Sequence, residues 1–251
     1  MPTILHPDYA HQQTALEDLA AHFEQSGTLI VKGTRNSIKT NRLADETVSI
    51  KFFKTPGFIK SIIYSWFRQS KAKRSFEYAL YLQQHGILTP FPIGYIEERK
   101  ALGLLGDSYY FCRHIDYDFT IRELIHDPLF PNRVAILEQF TAFTFRMHEA
   151  RIHFLDHSPG NTLIKDLGNG QYDFYLIDLN RMQFRTLSMA QRMDNFKKMW
   201  LSKTMLRTVA ATYAQLSGIP ESELWPMLWQ TSQDFKRKIN RKKWLKRKLK
   251  K

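Results

Sequence analysis

Two hydrophobic periodicities follow one another along the chain, and their order limits the folds that it can adopt. The first half carries short apolar runs or period-two alternation, as in residues 28–32 (TLIVK) and 46–53 (ETVSIKFF), which is typical of β-strands. The second half carries apolar stripes at helical spacing over residues 134–150, 189–200 and 206–216. Strands followed by helices predict an α+β protein with a sheet lobe and a helical lobe.

Further elements extend this division. Two more strands are predicted over residues 91–98 and 107–115, and a helix over residues 74–86 ends at Gly86. A last helix is expected from about Glu221. We therefore expect a β-rich lobe, a helical lobe and a basic tail, over residues 1–115, 116–235 and 236–251.

The net charge of +13 is concentrated at the C-terminus. Residues 236–251 contain eleven lysines or arginines and no acid, so the rest of the chain is close to neutral. A basic tail predicts an anionic partner, either an acidic membrane surface or nucleic acid. Nucleic acid is the less expected of the two, because no nucleic-acid-binding signature accompanies the charges.

Cysteine usage and hydropathy bear on the compartment. The single cysteine, Cys112, permits no disulfide within the chain, which fits a reducing compartment, and we interpret it as a buried strand residue. The N-terminus lacks the pattern of a signal peptide, and no stretch approaches the ~18 uninterrupted apolar residues of a membrane span. We expect a cytoplasmic protein that rests at most on the inner face of a membrane.

The dipeptide Asn169-Gly170 lies between two apolar runs, which is the strongest short-range signal for a β-hairpin. Both residue types tolerate the positive φ that a two-residue turn needs. If they form the turn, Lys165 faces Phe174 and Asn161 faces Asp178. The sequence therefore predicts that Asn161 and Asp178 meet at the open end of the hairpin.

Asp156 lies five residues before Asn161, so we expect a cluster of these two side chains with Asp178. Such a cluster suits Mg²⁺, which takes one or two carboxylates, a carbonyl oxygen and substrate phosphates. The spacing Asp-x4-Asn followed by a strand-end Asp is also the protein-kinase arrangement, where the first Asp accepts a hydroxyl proton and the other two residues hold metal ions. The alternative is that Asp and Asn beside Ser-Pro-Gly are ordinary turn formers.

A kinase also needs a strand lysine for the ATP phosphates and a helix glutamate that positions it. Lys51 lies in the alternating strand VSIKFF, and Glu77 lies on the next predicted helix. Each has an ordinary alternative, as an exposed strand lysine or a surface helix glutamate. Their order along the chain with Asp156, Asn161 and Asp178 favours an ATP-dependent phosphotransferase.

The segments that carry these residues resemble the lipopolysaccharide kinase (Kdo/WaaP) family. The resemblance rests on residues 48–53, 74–98, 108–115, 146–164 and 174–184. It implies a bilobal protein-kinase-like fold, with an N-terminal antiparallel β lobe plus one helix and a C-terminal helical lobe whose β-hairpin carries the metal site. It also implies ATP, Mg²⁺ and a lipid-linked acceptor, Kdo or heptose of the lipopolysaccharide inner core, at the cytoplasmic face of the inner membrane.

By motif, the resemblance implies a phosphate-binding lysine, its glutamate partner, a base and two metal ligands, in the order Lys51, Glu77, Asp156, Asn161 and Asp178. The phosphate-binding loop VKGTRNSIKTN has Gly33 as its single glycine, and Arg35 or Lys39 could assist there. Phe154 stands two positions before the base, where a protein kinase has histidine, and His153 lies one position too early. This change removes a hydrogen-bonding support of the loop. The metal motif reads Asp-Leu-Asn, so a flipping Phe is not expected.

Residues 54–74 interleave aromatic side chains with lysines and arginines, as interfacial membrane segments do. Their alternative is a buried helix with a solvated basic face. Together with residues 236–251, this segment predicts binding to an anionic membrane surface. Arg122 and Arg181 are candidates for anionic substrate groups or for structural salt bridges. Two other functions stay open: a related kinase of a soluble molecule or protein, and a non-catalytic pseudokinase or basic nucleic-acid-binding module.

Overall fold

The structure is a computed structural model that describes residues 2–34, 36–55 and 69–249. The chain forms two compact units, Met1–Asp116 and Tyr117–Lys251. Across the described residues, seven α-helices accompany antiparallel β-structure. The predicted combination of antiparallel strands and helices is therefore confirmed.

The first unit is built on one six-stranded antiparallel sheet. Its strands are β1 (Thr3–Leu5), β2 (Thr28–Lys32), β3 (Asn36–Leu43), β4 (Glu46–Phe53), β5 (Pro92–Arg99) and β6 (Leu105–Arg113). Their order across the sheet is β1-β5-β6-β4-β3-β2. The other described elements of the unit are helices α1 (Gln13–Ala21) and α2 (Lys71–Gln84) and the 3-10 turns Pro7–Gln12 and Ala101–Gly103.

The alternation in β4 gives the sheet two different faces. Val48 and Ile50 are buried with Leu16 of α1 in one hydrophobic cluster. Phe53, an odd-numbered residue of the same strand, is buried with Phe76 of α2 in a second cluster. Successive side chains of a strand point to opposite faces, so α1 and α2 cover different sides of the sheet.

Three elements of this unit extend beyond the sequence prediction, namely β1, α1 and β3, although Leu16 and Ala20 of α1 are buried at helical spacing. The segment predicted as a phosphate-binding loop instead continues into β3, which pairs along its whole length with β4. Most residues of β3 are polar, so its strand character comes from backbone pairing with β2 on one side and β4 on the other. Helix α2 begins earlier than predicted because the Ser70 hydroxyl accepts a hydrogen bond from the Lys73 amide. It ends before Gly86, whose φ of +67° is left-handed.

The second unit is mainly helical. Its helices are α3 (Ile121–His126), α4 (Arg133–Glu149), α5 (Met189–Asn195), α6 (Lys203–Ser217) and α7 (Glu221–Lys248). Its strands are β7 (Phe119–Thr120), β8 (Ile152–Phe154), β9 (Thr162–Gly168), β10 (Gln171–Leu176) and β11 (Met182–Phe184). They form an antiparallel sheet of order β10-β9-β7 and an antiparallel β8–β11 pair. The predicted helix over 189–200 is shorter than expected, since a 3-10 turn over Lys197–Met199 follows α5.

The predicted hairpin forms, but its register differs from the prediction by one residue. Asn169 and Gly170 both have positive φ, 51° and 74°. Phe174 pairs with Ile164 rather than with Lys165, because an irregularity beside the turn adds one residue to β9. A one-residue slip exchanges the two faces of a strand. The observed register buries Ile164 and Phe174 together, whereas the predicted one would place Lys165 on the buried face.

The predicted last helix and most of the basic tail form one continuous helix, α7. The chain turns at Gly218, whose φ is +70°, and α7 then runs to Lys248. Ser232 is the last buried residue of this helix, and residues 241–249 are exposed on all sides. Within the described part of the chain, no helix combines the length and the hydrophobicity needed to cross a membrane. Of the predicted interfacial segment 54–74, residues 56–68 lie outside the described residues, so its role stays a prediction.

Candidate active site

The loop of residues 155–161, called here the Asp156 loop, follows directly from the short strand β8. Its start is tied to the chain after β10, because the Leu155 amide donates to the Arg181 carbonyl at 3.0 Å. Its end forms a 3-10 turn, in which the Asn161 amide donates to the Ser158 carbonyl at 2.9 Å. The loop is therefore held at both ends by backbone hydrogen bonds.

The Asp156 carboxylate lies between two cations. Lys198 Nζ donates to Oδ1 at 2.9 Å, and Arg181 Nη1 lies 3.5 Å from Oδ2. The Asp156 side chain is 24% exposed, so the carboxylate is still open to a substrate hydroxyl. The contact assigns Arg181 to a salt bridge with the predicted base. The contact of Lys198 with Asp156 could not be predicted from the sequence. The two residues lie forty-two positions apart, and the segment around Lys198 shows only an apolar stripe at helical spacing.

Asn161 is hydrogen-bonded to the predicted base, Asp156, by its side chain. Its Nδ2 donates to the Asp156 carbonyl at 2.9 Å. Only the nitrogen of an amide can donate to a carbonyl, so this bond identifies the other atom, Oδ1, as the one suited to a cation. The Ile177 amide donates to the Asn161 carbonyl at 3.0 Å, which brings the following residue, Asp178, next to the loop. The three predicted residues Asp156, Asn161 and Asp178 are thus neighbours in the fold.

Asp178 has the left-handed backbone conformation, with φ of +59°. This conformation is uncommon outside glycine, and Asp and Asn tolerate it best. Its Oδ1 accepts a hydrogen bond from Asn180 Nδ2 at 2.7 Å, so the third residue of the Asp-Leu-Asn motif orients the carboxylate. Strained backbone of this kind is concentrated at functional sites.

The donor chemistry here fits Mg²⁺. Among the described residues there is no group of three or more His, Cys, Asp and Glu side chains that could enclose a metal ion. Mg²⁺ in nucleotide sites needs less from the protein, since one or two carboxylates act together with substrate phosphates and water. Asp178 and the amide oxygen of Asn161 are a donor set of that type. Their role as metal ligands stays a prediction.

The buried side of the Asp156 loop rests on a network that sequence reasoning missed. Phe154 is fully buried, and its carbonyl accepts a hydrogen bond from Asn195 Nδ2 at 2.8 Å. Asn195 Oδ1 lies 3.1 Å from His148 Nε2, and the Tyr213 hydroxyl lies 2.9 Å from His148 Nδ1. Phe154 replaces a histidine in this position, but the loop keeps a hydrogen-bonding support because Asn195 supplies it from α5.

The proton positions in this network follow from its chemistry. Asn195 Nδ2 is the donor to Phe154, so Oδ1 must accept a hydrogen bond from the N–H of His148 Nε2. The other ring nitrogen of His148 then accepts from the Tyr213 hydroxyl. Burial lowers the pKa of His148 to about 3, although the Asn195 hydrogen bond opposes this, and burial raises the pKa of Tyr213 to about 12. Both groups are therefore neutral near pH 7.

His157, the residue after the predicted base, is a buried histidine of a different kind. Its ring packs among Phe140, Phe154 and Phe196, with centroid distances of 5.4, 5.9 and 6.0 Å. Among the described residues, neither ring nitrogen makes a well-formed hydrogen bond, although the Asn195 backbone interacts with the ring and opposes the lowering of its pKa. Burial lowers the pKa of His157 to about 4, so the imidazole is neutral at pH 7.

In the first unit, Lys51 lies on the face of the sheet that α2 covers. It pairs across β4 and β6 with Tyr110, which in turn pairs with Tyr95 of β5. Both tyrosines belong to the hydrophobic cluster that contains Phe76 of α2. Lys51 Nζ lies 5.5 Å from the ring centroid of Phe53. The lysine is therefore half-buried beside α2, and its role in binding phosphate stays a prediction.

Glu77 lies on α2, toward the same face. Its carboxylate is 3.7 Å from Lys73 Nζ, one helical turn away. It also acts on Tyr95, whose pKa is raised to about 12 by burial and, in smaller part, by the charges of Glu97 and Glu77. Since Tyr95 and Lys51 lie in one row across the sheet, the structure brings Glu77 and Lys51 to the same side. Their pairing stays a prediction.

Gly33 lies in the turn between β2 and β3. Its amide donates to the Asn36 carbonyl at 2.9 Å, and a Cβ at this position would lie 2.7 Å from Asn36 Oδ1. The turn therefore requires glycine for steric reasons. Lys39 is engaged elsewhere, because its Nζ donates to three backbone carbonyls, at 2.6 to 3.1 Å, after α1. Arg35 lies outside the described residues.

The geometry of the second unit agrees with a comparison of the whole sequence with known families. The lipopolysaccharide kinase (Kdo/WaaP) family matches residues 54–219, which is about two thirds of the chain. The chain belongs to this family. The expectation of an ATP-dependent kinase is thereby confirmed, and the matched range contains Glu77, Asp156, Asn161 and Asp178.

A solved structure of this family shares the fold. The structure described as WaaP in complex with acyl carrier protein aligns with a TM-score of 0.68 and 14% sequence identity, over 94% of this chain and 99% of that chain. No curated protein matches the sequence. For this Kdo/WaaP kinase, the fold and the kinase class are therefore shown, and the acceptor is open.

Proposed function

We propose that this Kdo/WaaP kinase transfers the γ-phosphoryl group of ATP to a hydroxyl of Kdo or heptose in the lipopolysaccharide inner core, at the cytoplasmic face of the inner membrane. The observation that carries the proposal is the Asp156 loop. Asn161 Nδ2 donates a hydrogen bond to the Asp156 carbonyl at 2.9 Å. The Ile177 amide donates to the Asn161 carbonyl, which brings Asp178 beside them. Family membership supplies the substrate class.

Each residue has a separate task in this reaction. The Asp156 carboxylate accepts the proton of the sugar hydroxyl while the hydroxyl oxygen bonds to the γ-phosphorus. The bond from that phosphorus to the β-phosphate oxygen breaks, and ADP leaves with the electron pair. Asn161 and Asp178 would hold Mg²⁺, which supplies positive charge to the phosphate oxygens when bound. Lys51, oriented by Glu77, would bind the remaining phosphates, and Gly33 would lie in the loop beside them.

The test uses two lipid acceptors and two aspartate variants. Purified protein is incubated with labelled ATP, Mg²⁺ and either Kdo-bearing lipid A or its heptose-extended form, and label in the lipid is counted. Asp156→Asn removes the base with little change in shape, and we expect transfer to fall by at least about 10²-fold. Asp173→Asn on β10 is the matched control, which should transfer label like the native protein. Each variant is checked for an unchanged melting temperature.

The outcomes separate the alternatives. Transfer to one lipid and not the other identifies the acceptor sugar. Label that appears only on a soluble sugar or a protein would support the related kinase of a soluble substrate. A native protein that binds ATP but labels no acceptor would support the pseudokinase alternative and contradict our proposal.

The basic arm, defined as residues 236–249, comprises the end of α7 and its C-cap residue Leu249 and is a described part of the proposed membrane contact. Its outer part, residues 241–249, is exposed on all sides, with Trp244 at 53% and Leu249 at 86% of their full exposure. Lysine or arginine near an anionic surface contributes about 1 kcal/mol each. Lys236 donates to the Leu201 carbonyl at 2.7 Å, so a truncation that begins after residue 240 leaves this anchor intact.

We expect the full chain to sediment with vesicles that contain anionic lipid, and the form that lacks residues 241–251 to lose most of this binding. A control that replaces Trp244, Leu245 and Leu249 by serine keeps all charges and separates apolar insertion from charge attraction. Equal sedimentation of full-length and truncated protein would exclude a role for the arm.

The solved WaaP structure suggests a second kind of binding partner for the basic arm. That structure contains an acyl carrier protein. We propose the same partner class as an alternative to lipid, because a basic helix exposed on all sides also suits an acidic protein surface. Titration of an acyl carrier protein against the full and truncated chains in the absence of lipid distinguishes the two.

A further inference from the structure

The Asp156 loop contains no lysine or arginine of its own, since residues 155–161 read LDHSPGN. Among the described residues, the cation closest to the predicted base comes instead from the 3-10 turn after α5. Lys198 Nζ donates to Asp156 Oδ1 at 2.9 Å and to the Leu155 carbonyl at 2.6 Å. Its side chain is 30% exposed, so the ammonium group is in contact with both the loop and solvent.

We propose that Lys198 is a catalytic residue, whose ammonium group holds the Asp156 carboxylate and donates its third N–H to the phosphoryl group during transfer. This inference rests on the phosphotransferase function proposed above. Lysine has three donors, and within the described part of the chain two of them are used, by Asp156 and Leu155. The third is available for a phosphoryl oxygen.

Distances place the ammonium group near the reacting atoms. A hydroxyl that gives its proton to Asp156 lies roughly 2.6–3.2 Å from a carboxylate oxygen, and the γ-phosphorus approaches that hydroxyl to about 3–3.5 Å. Lys198 Nζ is 2.9 Å from the same carboxylate. A phosphoryl group that lies on the same side of the Asp156 carboxylate as Lys198 is therefore within reach of the ammonium group.

The charge change during the reaction explains why a cation is useful there. The hydroxyl loses a proton to Asp156, a bond forms between its oxygen and the γ-phosphorus, and the bond to the leaving ADP breaks. The equatorial oxygens of the phosphoryl group carry negative charge throughout, and a fixed ammonium group stabilises that charge without reorganisation. As the Asp156 carboxylate becomes neutral, Lys198 is released from it and can bind the phosphoryl oxygens more strongly.

Arg181 is the weaker choice for this role. Its Nη1 is 3.5 Å from Asp156 Oδ2, and its side chain is 63% exposed. Charge-assisted hydrogen bonds of cations to carboxylates are typically about 2.7–2.9 Å long, which Lys198 matches and Arg181 does not. Arg181 is better placed for contacts farther from the attacking oxygen.

A purely structural role for Lys198 predicts different behaviour, and three variants distinguish the two. Lys198→Gln keeps a donor for the Leu155 carbonyl and removes the charge. Lys198→Arg keeps the charge and the donors. Lys198→Met removes both. The neighbouring residue provides the matched control, because Lys197 forms its ion pair with Asp194 and not with Asp156.

The experiment measures kcat and KM for the lipid acceptor that the native protein labels, together with ATP binding and the melting temperature of every variant. We expect Lys198→Met and Lys198→Gln each to lower kcat by about 10²–10³-fold. Binding of ATP should change by less than about threefold, and Lys198→Arg should recover at least about tenfold over Lys198→Met. Lys197→Met should retain native kcat.

Two results would overturn the inference. If Lys198→Gln retains native kcat, the lysine serves only to tie the loop through Leu155. If both uncharged variants lose ATP binding or melt well below the native protein, the effect on kcat reflects lost structure. A native protein that transfers no phosphate to any acceptor would refute the proposed function first, and this inference with it.

Discussion

The buried His157 makes a prediction about stability that does not depend on the reaction. Its imidazole lies among three phenylalanine rings, and among the described residues neither nitrogen has a well-formed hydrogen bond, since the interaction with the Asn195 backbone only partly opposes the effect of burial on its pKa. Replacing a buried, unsatisfied polar group by an apolar one of similar size should stabilise the protein, because a polar group without a partner costs about 1–3 kcal/mol. We expect His157→Leu to raise the free energy of unfolding by about 1 kcal/mol at pH 8.

The stability that His157→Leu gains over the native protein should grow as the pH falls. The pKa of His157 is lowered from 6.5 to about 4 in the folded protein, chiefly by burial. Between these values the unfolded chain binds a proton that the folded protein does not, so stability is lost as the pH decreases through this window. At pH 5 this loss is about 2 kcal/mol relative to pH 8. His148, with a pKa lowered to about 3, contributes a loss of similar size in native protein and variant alike.

Urea unfolding at pH 8, 6 and 5 measures both effects. Tryptophan fluorescence reports mainly the second unit, which contains four of the five tryptophans. The difference between His157→Leu and native protein should increase from about 1 kcal/mol at pH 8 to about 3 kcal/mol at pH 5. His126→Gln, at an exposed position of the same unit, is the control and should stay within about 0.5 kcal/mol of native. Parallel pH dependences for native protein and His157→Leu would refute the reasoning, as would a variant less stable than native at pH 5.

Three further predictions concern other parts of the fold. Asn195→Ala removes the hydrogen bonds to Phe154 and His148, so it should lower the free energy of unfolding by about 2–5 kcal/mol. Thermal or urea unfolding measures this change. A loss below about 1 kcal/mol would show that the network does not support the loop. Gly94→Ala would place a Cβ 2.6 Å from the Ile4 carbonyl, so amide exchange over β1 should accelerate while exchange in α6 stays unchanged. Burial raises the pKa of Cys112 to about 12, so iodoacetamide at pH 8 should leave this thiol unmodified in folded protein and label it in urea, as read by mass spectrometry; rapid labelling without urea would contradict its burial.

Local signals in the sequence predict much of the fold, because the causes are themselves local. The alternation in β4 and the apolar stripe of α6 show which faces are buried. The Asn169-Gly170 turn forms where its backbone preferences place it. Glu77, Asp156, Asn161 and Asp178 are predicted as site residues because a phosphotransferase site needs these residue types in this order, and all four lie in the range that the family matches.

Other features follow only from tertiary packing. Strand β3 is too polar to be read from hydrophobicity and is defined by its two neighbouring strands. The hairpin register depends on which residues the core can bury, so Ile164 rather than Lys165 faces Phe174.

The surroundings of the base depend on tertiary structure most strongly. Asp156 is recognisable from its own short motif, but the side chains that contact it and its loop, Lys198 and Asn195, lie about forty residues later. Their distance from Asp156 is decided by the packing of α5 and the following turn against β8, which no periodicity within either segment encodes. The sequence by itself therefore determines that the chain is a kinase, and it predicts which residue is the base. Only the tertiary structure shows how the Asp156 loop is supported where Phe154 precedes it in place of histidine, and which cation lies beside the predicted base.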